Sequence, residues 1–166
     1  MSRIIGRLSC VRSRTALRTL AVSLTLLLLT AVFVGGGAAN SPMNTTADQV
    51  AINGYDTVAY FEDGQATRGR PEHQVLWQDA RWYFANDDHR QLFAANPARY
   101  APQFGGLCAA SVAKGRFVKV DAETWAIVDG KLYLNYDRDT ADTWSREAEA
   151  NIAAAEQIWA TRARQR

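Results

Sequence analysis

The sequence predicts a small α+β domain: short antiparallel strands in hairpins, a central short helix and a C-terminal helix, preceded by a signal peptide. Three observations predict it. Asp129-Gly130 sits between WAIV and KLYLN, the signature of a two-residue type I′ hairpin. Two aromatic-rich runs, Gln74–Trp77 and Arg81–Phe84, flank Gln78-Asp79-Ala80 and read as a second hairpin. Trp144, Ala148, Ile152, Ala155 and Trp159 are spaced 4, 4, 3 and 4, which places one apolar stripe along a helix from about Asp139 to Arg162.

Taken in chain order, residues 1–39 read as an export signal. Arg3, Arg7, Arg12, Arg14 and Arg18 precede the apolar run Thr19–Val34, and Gly37 and Ala39 suit a signal peptidase site. The rival reading is an uncleaved inner-membrane anchor formed by residues 19–39; the apolar run of about 16 residues is short of the ~20 that span a bilayer. Residues 40–48 form a polar linker, residues 49–162 the domain, and residues 163–166 a solvated tail.

Within the domain, Val50–Ile52 is expected to open a short strand, with Asn53-Gly54 as a turn and Asp56–Phe61 as extended chain. A polar loop carries Gly64 and Gly69-Arg70-Pro71, with His73 solvated beside it. Asn86 is expected to cap the central helix, with Asp87 and Asp88 in its first turn, Leu92 and Phe93 facing inward and Asn96-Pro97 ending it. Gly105-Gly106 breaks the chain before Leu107–Ala113, a short helix of small residues. Phe117–Val120 and Thr124–Val128 read as strands.

Charge narrows the partners. The five arginines of the leader inflate the basic count of 19; without them 14 basic residues face 17 acidic ones, a net of about −3. Such a surface gives nucleic acid no electrostatic attraction, and any membrane contact is expected only through the N-terminal segment. Cys108 is the sole cysteine after the leader, so no internal disulfide and no two-thiol redox cycle is available. It reads either as a small buried hydrophobe or as a ligand or reactive thiol beside the glycine pair. His89 reads either as an exposed side chain paired with Asp87 or Asp88, or as a ligand. Asp56 follows a turn, where aspartate most often bonds local amides. No G-x-S-x-G, H-E-x-x-H or phosphate-binding glycine loop is present, so no catalytic motif argues for an enzyme.

Three blocks, Ile52–Phe61 (INGYDTVAYF), Trp82–Ala109 (WYFANDDHRQLFAANPARYAPQFGGLCA) and Trp125–Tyr136 (WAIVDGKLYLNY), resemble those of exported YHS-domain proteins. The resemblance implies a module associated with metal binding, similar to the cysteine-rich modules of copper-transporting ATPases. Where those read Asp-Pro-Val-Cys, this chain has Asp56-Thr57-Val58-Ala59; where they read Phe-Cys-Ser-x-x-Cys, it has Phe84-Ala85-Asn86-Asp87-Asp88-His89. The thiolates expected there are thus Ala59, Ala85 and His89.

The expectation is an exported bacterial protein, periplasmic or secreted, that binds a soft, copper-like ion at a degenerate site of Cys108 and His89. The small ligand set makes a folding-essential zinc improbable, so no metal is expected to be needed for folding. Two alternatives stand beside it: a single-thiol redox protein using Cys108, and a metal-free accessory domain. The ligand is a metal ion or small molecule; no feature specifies a protein partner.

Overall fold

The computed structural model describes residues 43–165. The expected signal peptide, its cleavage at Ala39, the rival anchor and residues 40–42 of the expected linker lie outside the described residues. Residues 43–48 are not a free linker: Asn44 is buried and donates its amide to Gly105 O at 2.9 Å. No helix of the described residues is long and apolar enough to cross a membrane.

The domain is α+β, built on two separate antiparallel hairpins with short helices around them. Its opening segment is not a regular strand. Val50 and Ala51 form only isolated bridges, to Arg81 and Thr45, before a 3-10 turn at Ile52–Gly54. Asp56–Phe61, expected as extended chain, instead turns into helix α1 (Ala59–Glu62), because Asp56 Oδ1 accepts the amides of Val58 and Ala59.

Strand β1 (Arg70–Trp77) pairs with β2 (Ala80–Phe84) through a turn at Gln78-Asp79, both left-handed at φ 50° and 60°. The strand begins four residues before the expected Gln74. A register shift between Arg70 and Gln74 accommodates Pro71, which has no N–H to give to a regular ladder. His73 is therefore half-buried on β1 and not solvated in a loop.

Helix α2 (Asp87–Ala95) is capped as its sequence indicates: Asn86 Oδ1 accepts the amide of His89 at 2.8 Å. Phe93 is buried, but Leu92 is 39% exposed, because the inner face carries His89 and Phe93 at i and i+4. Pro97 ends this helix and starts α3 (Pro97–Tyr100), a first-turn position where its missing N–H costs nothing.

A second 3-10 turn at Gln103–Gly106 leads to α4 (Ala109–Val112). Phe117–Val120 is not a strand: its tie to the preceding segment is the Cys108 amide donated to Val118 O at 3.0 Å. Strand β3 (Asp121–Val128) pairs with β4 (Lys131–Asn135) across Asp129-Gly130, whose φ values of 50° and 70° are those of the expected turn. The C-terminal helix is two helices, α5 (Arg138–Arg146) and α6 (Ala148–Arg164), broken at Glu147 with φ −132°. At the break Trp144 O accepts the Glu147 amide at 3.2 Å and, as a second donor, Asn151 Nδ2 at 3.1 Å.

One core joins both hairpins. Phe93 packs on Trp82 and Phe84 with ring centroids 5.1 and 5.0 Å apart, while Tyr133 reaches Phe104 and Trp144 at 5.9 and 5.4 Å. Each large apolar side chain so buried stabilises the fold by roughly 1.5–3 kcal/mol.

Candidate functional site

The polar centre of the domain is Asp56, a fully buried carboxylate that receives four donors. Oδ1 accepts Val58 N at 2.9 Å and Ala59 N at 3.3 Å; Oδ2 accepts Ala85 N at 2.8 Å and lies 2.7 Å from His89 Nδ1. One side chain thereby ties the start of α1 to the end of β2 and the first turn of α2. Burying a carboxylate is tolerable only with such a set of partners.

His89 is 8% exposed, which overturns the reading of it as a solvated surface side chain. Its expected partner Asp87 is engaged by other residues: Arg90 Nε and Gln91 Nε2 both donate to it at 2.6 Å. Those bonds, Arg90 first, hold the Asp87 carboxyl below the ordinary carboxylate range. The His89 ring turns inward because the Asn86 cap fixes the helix start one turn from the Asp56 loop. Since Asp56 only accepts, Nδ1 carries the donated proton, and in the neutral ring Nε2 holds the free lone pair. Nε2 faces Asp63 Oδ2 at 3.9 Å, and the Asp63 side chain is 40% exposed at the end of α1. Asp63 was not singled out by sequence; the only local signal is its place before Gly64 in a turn.

Cys108 is fully buried and lies in a different setting. Its Sγ is 3.7 Å from Asn135 Oδ1, which also accepts Ala110 N at 3.3 Å, so the amide oxygen serves both the thiol and the first turn of α4. Asn135 Nδ2 is buried without a partner. No sequence signal marked Asn135, the last residue of β4. Among the described residues no hydrogen bond joins Cys108 to His89, and they share no polar partner. His73, on β1, hydrogen-bonds neither group.

Among the described residues no group of three or more His, Cys, Asp and Glu side chains is placed to hold a metal ion. A closed four-ligand site therefore does not fit these residues. A soft ion at Cys108 fits poorly as well, since the thiol has no exposed surface and is directed at an amide oxygen. What fits in part is His89 Nε2 with Asp63, backed by Asp56: an imidazole oriented by a buried carboxylate, with its free nitrogen toward a second, exposed carboxylate. Among the described residues no hydroxyl or thiol hydrogen-bonds Nε2.

Comparison with protein-family models, with curated proteins and with solved structures finds no match for this chain.

Proposed function

We propose that the protein is an exported binding module of the YHS type that holds a divalent metal ion weakly at His89 and Asp63. The observation that carries this reading is the Asp56–His89 bond of 2.7 Å, which leaves Nε2 facing Asp63 at 3.9 Å. A nitrogen and a carboxylate oxygen favour a borderline divalent ion, such as zinc or Cu(II), over the thiolate-seeking Cu(I). With two protein ligands, water completes the coordination, which suits capture and transfer more than structural support. Asp56 does not touch the ion; it orients the ring and fixes its tautomer.

Titration of the full chain with Zn(II), followed by the ring resonances of His89 and His73, tests this. Zinc should shift the His89 signals saturably and leave those of His73 unchanged. Asp63→Asn should weaken binding at least about tenfold, since second-shell partners alone are worth 10–100-fold. His89 signals unmoved at millimolar zinc would make the trio a purely structural joint and leave the metal-free accessory reading.

A further inference from the structure

We propose that a second site, an aromatic cleft of about 410 Å³ between the β1–β2 hairpin and the Gln103–Gly106 turn, binds a small, uncharged, planar ring molecule. The volume lies in the range of small-molecule sites, and neither His89 nor Asp63 lines it.

Its walls are rings held in place by the fold. On one side Trp82 donates Nε1 to Trp77 O at 3.0 Å and stacks on Phe93 at 5.1 Å and 29°, while Trp77 meets Phe93 edge-on at 5.7 Å. On the other side Phe104 and Trp159 meet edge-on at 5.9 Å. Phe104 is set there by a left-handed backbone, φ 54° and ψ 35°, a strained conformation for a bulky residue and one that clusters at binding sites. Trp77 and Trp159 stay half-exposed although the core next to them is closed.

Charge selects the ligand. Among the described residues no Asp, Glu, Lys, Arg or His lines the cleft, so an ion entering it would lose water without gaining a counter-charge from them. The side-chain amides of Gln78 and Gln103 remain, each able to donate and to accept. Aromatic walls with two neutral amides suit a planar heteroaromatic ring, stacked on the tryptophans and hydrogen-bonded at its heteroatoms.

The test uses the full chain with quinoxaline as neutral probe and naphthalene-2-sulfonate as its charged counterpart, read by the indole N–H resonances of Trp77 and Trp159. Quinoxaline should shift both saturably, and the sulfonate should bind at least about tenfold more weakly. Trp159→Ala should weaken quinoxaline binding about three- to tenfold, the worth of one aromatic stacking contact. Should that variant fail to fold, Ala98→Trp on the exposed side of α3 fills the cleft and should abolish binding. Shifts that never saturate, equal binding of the two probes, or binding unchanged in a folded variant would overturn the proposal. Because the His89 resonances report the metal site separately, failure at one site leaves the other reading intact.

Discussion

Asp56 and Cys108 are both fully buried, yet they contribute in opposite ways. Asp56 closes four hydrogen bonds, and removing it strands three backbone amides and an imidazole N–H away from water. Asp56→Ala should therefore cost about 3 kcal/mol or more in urea unfolding, the scale of breaking one partner out of a buried charged network. A loss below about 1 kcal/mol would mean that water enters and replaces the carboxylate. Cys108 donates weakly to Asn135, and a serine hydroxyl can do the same. Cys108→Ser should stay within about 1.5 kcal/mol of wild type, near the net worth of one hydrogen bond. In the native protein a disulfide reagent should label Cys108 only as fast as the fold opens. Rapid labelling of the folded chain would revive the thiol-chemistry reading.

At the scale of elements, the turn at Gln103–Gly106 does the most positioning, since it sets Phe104 into the cleft and delivers Cys108 to α4. Gly106 has φ +72°, and a Cβ there would overlap Ile52 Cδ1 and crowd Pro102. Gly64 shares the left-handed backbone, φ +67°, but faces open space. Gly64→Ala should thus cost only the conformational term of about 1–2 kcal/mol, whereas Gly106→Ala adds roughly 1–3 kcal/mol of overpacking. Chemical denaturation of the two variants separates these effects. Equal losses would show that Ile52 yields without cost.

Across the whole molecule, one buried link between the first segment and the second hairpin is Tyr60, which donates its hydroxyl to Ala122 O at 2.7 Å and meets Trp125 edge-on at 5.2 Å. Burial, with Tyr55 and nearby carboxylates adding to it, pushes the Tyr60 phenol well above its ordinary value of 10.0. The native state then keeps a proton that the unfolded chain releases above that value. The contribution of Tyr60 is full below about pH 10 and declines as pH rises further. The urea midpoint should fall from about pH 10 upward, and less steeply in Tyr60→Phe. Identical slopes would place the alkaline sensitivity elsewhere, Tyr55 and Tyr133 being the other phenols raised by burial.

What was legible in the sequence is what depends on residues within a turn of one another. The Asp129-Gly130 hairpin, the Asn86 cap and the burial of Trp144 and Ala155 are decided by local backbone geometry and period, and the structure keeps them. Asp56 as a ligand of neighbouring amides was legible for the same reason. The tertiary structure alone decided the rest. His89 meets Asp56 across 33 residues, and Cys108 meets Asn135 across 27. Whether a polar side chain is solvated or buried depends on partners brought up by distant elements, and no spacing within its own element reports that. The same holds for α1 and for the break at Glu147. Asp56 turns an expected extended segment into a helix, and Asn151 adds a second donor to Trp144 O at the break, so a side-chain hydrogen bond works against the weak local preference in both places.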